Sequence, residues 1–243
     1  MKKISLIIPA HNEEGCIENT IKVFSSVLHK EKISHEILVI NDHSTDRTEE
    51  ILKNLEKEIK ELRYLNNNCG KGFGSTIING FKNFKGDYVS IVMADLSDNP
   101  NDLVRYYFEI EKGYDCVFGS RFIKGGKVTG YPLHKLILNR IVNNFIKILF
   151  SIKYNDTTNA FKIYRKETIK GLEPFLSKHF NLTVELSLKS IVRGYSYSII
   201  PNSWKNRKTG VSKLKIKEMG GRYFFIIFYC LLEKWLSHGD YKK

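Results

Sequence analysis

The sequence predicts an α/β protein with a mostly parallel central sheet flanked by helices and with amphipathic, interfacial helices toward its C-terminus. Three observations predict this. Short apolar runs of strand length alternate with segments of helical period through the first half of the chain. Three of those runs end in polar clusters, and sheets of this kind bind ligands beyond the carboxyl ends of their strands. From residue 121 the strand signals thin out and long helical stretches with apolar faces replace them.

Ile4-Ser-Leu-Ile-Ile8 is the first strand, ended by Pro9, and Asn12 is placed to cap a helix whose apolar positions Ile17, Ile21, Phe24 and Leu28 recur at three or four residues. Residues 36–40 read as a second buried strand. Asp46 with Glu49 forms a capping box that opens a helix through Ile51, Leu52, Leu55 and Ile59. A short strand at 63–65, a glycine-rich turn, a helix through Gly80 and a strand at 88–93 follow. Strands joined through helices imply right-handed crossovers and parallel pairing. Farther on, Leu136, Ile137, Ile141, Phe145, Ile148 and Leu149 make one apolar helical face, and Lys135, Asn139, Asn143 and Lys147 make the other. A basic amphipathic helix of this kind either packs on the sheet or lies in a membrane interface, and the pattern leaves both open. Residues 222–235 are apolar on nearly every side and suit interfacial docking or oligomer contact.

The chain's 39 Lys and Arg against 26 Asp and Glu give a net charge of +13. The excess is uneven: residues 1–120 hold 15 bases and 19 acids, and residues 121–243 hold 24 bases and 7 acids. A basic second half points to an anionic partner, whether nucleic acid, anionic lipid or a phosphorylated substrate. Nucleic acid has charge as its only support, since there is no recognition helix or RNA-stacking motif. At 42% hydrophobic and 12% aromatic the chain can bury a core, which excludes a disordered protein. Cys16, Cys69, Cys116 and Cys230 lie far apart, which excludes a disulfide framework or a cysteine-based zinc site and reads as free thiols in a reducing cytosol. The N-terminus reads as a strand rather than a signal peptide. The longest apolar stretch, 223–232, is about half the ~20 residues that cross a bilayer, so a cytoplasmic chain without a transmembrane helix is expected.

Asp42 follows a buried strand beside Asn41, Ser44 and Asp46. A carboxylate there either accepts hydrogen bonds from a base or ribose or caps the next helix. Lys71-Gly72-Phe-Gly74 offers glycines for close backbone approach and a lysine for phosphate charge, without the spacing of a Walker loop. Asp95 and Asp98, after a strand, can hold a hard divalent cation that bridges a diphosphate, or can cap the turn through Pro100.

In order along the chain, IIPAHNEE, VINDHSTDRT, KGFGSTIINGF, GDYVSIVMADLSDNP, GSRF, NDTTNAFKIYR and NRKTGVSKL together resemble glycosyltransferase family 2, and most closely its dolichyl- or polyprenyl-phosphate sugar transferase branch. The resemblance covers nearly the whole chain and implies the GT-A nucleotide-diphospho-sugar fold. It implies one catalytic domain over 1–243, with a nucleotide-binding half at 1–120 and a basic half at 121–243 that faces acceptor and membrane. Pro9, Ala10, Asn12 and Glu13 would line the nucleotide pocket, with Asp42 on base or ribose. Asp95 matches the second aspartate of the family's metal-binding DxD, which implies Mg2+ or Mn2+. Arg121, with Lys135, matches positions that face the donor diphosphate and acceptor phosphate, and Arg207 and Lys213 match a loop that closes on phosphates. Met93 departs from the pattern, standing where the first DxD aspartate stands, and a thioether is a poor ligand for either ion. Asn159 and Ala160 also depart, in place of Ser-Gly.

The resemblance implies transfer of a sugar from a GDP-mannose or UDP-glucose type donor to a polyprenyl phosphate at the inner face of the membrane. Fixed cations would stabilise the departing diphosphate. A phosphate acceptor arrives ionised and needs no general base; the alternative, a saccharide hydroxyl, would need one, with Asp98 and Glu185 as candidates. A third reading is a catalytically weak nucleotide-sugar binder.

Overall fold

The computed structural model describes residues 2–206, 216–237 and 240–241, with side chains in the last helix from Gly220 onward. The first half alternates as expected: β1 (Ile4–Ala10), α1 (Ile17–Lys30), β2 (His35–Asn41), α2 (Thr48–Glu58), β3 (Leu62–Asn66), α3 (Phe73–Asn83), β4 (Tyr88–Ile91), α4 (Pro100–Ile110) and β5 (Cys116–Ser120). Then come β6 (Lys127–Thr129), α5 (Leu133–Phe150), β7 (Lys162–Arg165), α6 (Lys166–Gly171), α7 (Leu182–Val192), β8 (Tyr197–Pro201), β9 (Ser203–Lys205) and α8 (Ile216–Leu236).

Seven strands form one sheet in the order β3-β2-β1-β4-β7-β5-β8, and β6 and β9 form a small second sheet. Every pairing in the large sheet is parallel except those of β7, which runs against both neighbours. All seven residues of β2 are buried, as its unbroken apolar run requires when helices cover both faces. One core layer gathers Ile17, Ile21, Phe24 and Leu28 of α1 against Leu6 and Ile8; the other sets Ile77 and Phe81 of α3 against Ile7 and Leu38. Each such side chain contributes about 1.5–3 kcal/mol by leaving water. The chain steps outward from β1 to β3 and then returns to place β4 on the other side of β1. Open sheets of this kind bind ligands at such a reversal, here at the carboxyl ends of β1 and β4.

Two expected caps are different. Asn12 does not cap α1, which starts five residues later; its Oδ1 accepts from the Thr45 N–H at 2.7 Å. Asp46 does accept from the Thr48 N–H at 3.0 Å, but Glu49 turns away to Asn66, so no reciprocal capping box forms.

The larger surprise is α5. Two of its asparagines face inward: Asn143 is wholly buried and its Oδ1 accepts from Thr157 Oγ1 at 2.8 Å, while Asn139 Nδ2 donates to Thr158 Oγ1 at 2.8 Å. Its apolar residues Ile137, Ile141, Phe145 and Ile148 face outward and are exposed, Ile141 by 60%. Ile146 and Phe150 pack with Val184 and Leu188 of α7 and with Ile226, Ile227 and Leu231 of α8. Buried ion pairs pin this layer: Arg193 to Glu233 at 2.6 Å and Lys189 to Glu185 at 2.6 Å. On the free side of α8, Phe224, Phe225, Phe228 and Trp235 are exposed. Among the described residues no helix is long and apolar enough to cross a membrane.

Candidate active site

The loops after β1 and β2 are sewn to each other. Besides the Asn12–Thr45 bond, the Asn12 N–H donates to Ser44 Oγ at 3.0 Å, the Glu13 N–H to Thr48 Oγ1 at 2.9 Å and the Asp42 N–H to the Ala10 carbonyl at 2.7 Å. The loop after β4 joins them through Thr20 Oγ1, which donates to the Ala94 carbonyl at 2.7 Å. Pro9 and Ala10 close β1, and Asn12, Glu13, Asp42 and Asp95 lie on the loops that meet at the same end of the sheet. Each loop also holds a non-glycine residue in the left-handed region: Asn12 at φ 52°, His43 at 56° and Leu96 at 53°. Such strain concentrates where loop geometry serves a site, and no composition or period signal in the sequence reveals it.

Asp42 carries three bonds. Its Oδ1 accepts from Asn67 Nδ2 at 2.9 Å and lies 3.0 Å from His43 Nδ1, and its Oδ2 accepts from the Gly72 N–H at 3.0 Å. Burial opposes the charge, but the Asn67, Gly72 and His43 donors outweigh it and hold the carboxyl below its usual range. Asn67 was not legible as a site residue, yet it also bonds the Gly70 carbonyl and Asn79.

The glycines of the 71–74 turn approach the chain itself. A Cβ at Gly72 would fall 2.8 Å from the Lys178 carbonyl oxygen, and one at Gly74 would fall 2.5 Å from that of Ser177. Ser75 N–H donates to the Lys178 carbonyl at 3.2 Å and Phe73 stacks on Phe180 at 4.4 Å. The turn is a seat for the 177–180 segment, and Lys71 is exposed beside it.

Asp95 is half-buried, with its Oδ1 accepting from the Ser97 N–H at 3.1 Å. Asp98 points inward: it is 2% exposed and accepts from the Met93 N–H at 3.2 Å. Burial, opposed by that N–H, and repulsion from Asp95 push its carboxyl up to about 7. A half-open carboxylate with a second, buried one behind it fits a hard divalent cation that Asp95 could hold directly; Asp98 is its inward neighbour, and Met93 adds no oxygen.

Arg121 is also inward. Its Nε and NH2 donate to Asp156 at 2.8 and 2.7 Å, and its backbone N–H to the same carboxylate at 3.0 Å. Its charge favours the ionised form of Asp98. Lys135 stands half-buried in the first turn of α5. Arg207 and Lys213 lie outside the described residues. Asn159 is buried and ties Gly119 to Asn202, with Nδ2 donating at 3.0 and 3.3 Å. Glu185 is structural: its carboxylate accepts the Leu176 and Ser177 N–H groups at 2.8 Å each and pairs with Lys189. The sequence pattern also did not single out Lys162, which is buried with its ammonium on the carbonyls of Thr157, Asn159 and Thr183.

Next to the seated 177–180 segment, a cavity of about 320 Å³ is lined by Leu176, Lys178, His179, Asn181, Arg222 and Phe225. It mixes cationic and apolar walls, a pairing of residues distant in sequence that no motif joins.

A dolichol-phosphate mannosyltransferase from Pyrococcus furiosus is 31% identical over 88% of this chain; the chain spans 60% of that protein's length. A polyprenol monophosphomannose synthase from Mycolicibacterium smegmatis is 29% identical over 86% of this chain and 80% of its own. Among solved structures, glucosyl-3-phosphoglycerate synthase from Mycobacterium tuberculosis, in complex with Mn2+, uridine diphosphate and phosphoglyceric acid, superposes with a TM-score of 0.71 at 16% identity, over 96% of this chain and 78% of that one. The same enzyme with Mg2+ and uridine diphosphate gives 0.70 at 17% identity, over 96% and 79% of the two chains. These likenesses identify the fold as GT-A. The model of glycosyl transferase family 2 matches residues 5–172, and the chain belongs to that family.

Proposed function

We propose that this protein transfers a sugar from a nucleotide-diphosphate sugar to a polyprenyl phosphate at a membrane surface. The donor half of the reading is supported by the meeting of the loops after β1, β2 and β4. Asp42, held ionised, receives hydrogen-bond donors of the base or ribose, and Pro9, Ala10, Asn12 and Glu13 form the adjoining wall. Asp95 would hold Mg2+ or Mn2+, which when bound neutralises the diphosphate as it leaves. A phosphate oxygen of the acceptor attacks the anomeric carbon while the bond to the nucleoside diphosphate breaks. No general base is required, consistent with the commitment of Glu185 to structure. Arg121 serves this end of the sheet as a positioning residue, and Gly72 does so through its N–H on Asp42; Lys71, Lys135, Arg207 and Lys213 are the phosphate-facing candidates.

The observation that carries the lipid half is the outward apolar face of α5, set beside the exposed aromatic side of α8. Large apolar side chains exposed in such number on two packed helices mark contact with a membrane or partner. The cavity lined by Lys178, His179, Arg222 and Phe225 adjoins α8 and suits a phosphate with a hydrocarbon tail. Cations of the second half would add about 1 kcal/mol each near an anionic bilayer.

The test is transfer of label from GDP-mannose and UDP-glucose to separate lipid-phosphate and free-saccharide acceptors, with and without chelator. The proposal predicts chloroform-extractable product that chelator suppresses. Water-soluble product would favour the saccharide acceptor, and donor binding without transfer would favour the binding-protein reading.

A further inference from the structure

The opposite end of the sheet carries a second constellation. His29 is in the last turn of α1, His35 opens β2, and Glu61 immediately precedes β3. They sit about 20 Å from Asp42, the length of β2. One ring nitrogen from each histidine and one Glu61 carboxylate oxygen all lie within 4.8 Å of one another. Among the described residues no other group of three or more His, Cys, Asp or Glu meets in this way.

An ordinary surface ion pair explains part of this: His29 Nε2 lies 3.4 Å from Glu61 Oε2, with side chains 57% and 29% exposed. It leaves His35 unexplained. That ring is 5% exposed, and its Nδ1 bonds the Ile33 carbonyl at 2.8 Å, so Nδ1 carries the proton and Nε2 presents a lone pair. Nε2 is buried and has no hydrogen-bond partner. A buried lone pair without a donor is costly. A neutral imidazole with a backbone carbonyl fixing its other nitrogen is the arrangement that metal-binding histidines adopt.

We propose that His29, His35 and Glu61 form a site for a borderline divalent transition metal of the Zn2+ class, which ties the end of α1 to the starts of β2 and β3. Two imidazoles and one carboxylate suit that class rather than Mg2+ or Ca2+, which take oxygen ligands. Bonds of about 2.0–2.2 Å require the three ligand atoms to draw together by roughly 1 Å or more. His29 and Glu61 have the exposure to move, His35 is the fixed anchor, and water completes the coordination.

The experiment is titration of the chelator-stripped full chain with Co2+, read by visible ligand-field absorption, followed by displacement with Zn2+. One Co2+ per chain with tetrahedral absorption, displaced by one equivalent of Zn2+, is expected. His29→Ala, at an exposed position, and Glu61→Gln, a same-size change at a half-buried one, should leave the melting temperature of the metal-free protein nearly unchanged. Each should weaken Co2+ binding at least tenfold, the loss that even an outer-shell partner brings. Asp95→Ala, at the other end of the sheet, should bind Co2+ as the parent does. Absence of stoichiometric binding, binding undiminished in both His29→Ala and Glu61→Gln, or loss confined to Asp95→Ala would overturn the site.

Discussion

Arg121 and Asp156 form a bidentate ion pair closed to water, Nε to Oδ2 at 2.8 Å and NH2 to Oδ1 at 2.7 Å, with the Arg121 backbone N–H on the same carboxylate. Burial alone would disfavour the guanidinium charge; the Asp156 carboxylate reverses that and raises the Arg121 pKa. The pair fixes the β5 exit against the 155–159 segment, on which α5 also rests.

Removing one partner of such a pair strands a buried charge. Asp156→Ala should therefore lose about 3–5 kcal/mol of stability in urea denaturation, and the double change Arg121→Met with Asp156→Leu should lose clearly less than Asp156→Ala alone. Equal losses would show that the charge pair is not what holds this junction.

The 71–74 turn gives a second prediction. Gly74→Ala puts a methyl 2.5 Å from the Ser177 carbonyl oxygen, where the obstacle is backbone and cannot turn aside. A loss of about 2 kcal/mol or more is expected, with weaker donor binding because Gly72 supports Asp42. Gly15→Ala, which meets nothing within 4 Å, is the matched control and should stay within about 0.5 kcal/mol of the parent.

Asp42 gives a prediction in pH. Its folded pKa is depressed below the unfolded value, so its contribution is fully present above the unfolded pKa and disappears as pH falls through the folded one. Asp42→Asn should be less stable than the parent by about 1–2 kcal/mol near neutrality. The gap should narrow below pH ~4, where the parent carboxyl takes up its proton. A gap of constant size from pH 7 to pH 3 would contradict the assignment.

The α/β alternation was legible because apolar period follows burial: Ile17, Ile21, Phe24 and Leu28 are all fully buried. The site loops were legible because polar clusters directly follow strands. What stayed hidden was partner choice across long sequence separations. Asp156 carries no local signal that it holds Arg121, 35 residues away, nor does Glu233 that it holds Arg193. The glycines of the 71–74 turn were readable as a close approach, yet only the fold shows that the approaching backbone is 177–179. In α5 the period was right and its direction was open. The asparagine face found buried partners in Thr157 and Thr158, which turned the apolar face outward.

That inversion is testable by itself. Ile141→Lys with Phe145→Lys changes two exposed side chains, so thermal stability should hold. Each apolar side chain withdrawn from lipid forfeits about 2 kcal/mol. Sedimentation with anionic vesicles should therefore show binding at least tenfold weaker than the parent. Unchanged binding would assign this face to another partner.

The central claim, that the loops after β1, β2 and β4 together grip one nucleotide sugar, is tested most directly by a crystal structure of the protein with a nucleotide sugar and Mn2+. The predicted result is base or ribose density in hydrogen-bond reach of Asp42 and a diphosphate joined through the ion to Asp95. Donor density elsewhere on the molecule, away from both aspartates, would contradict it.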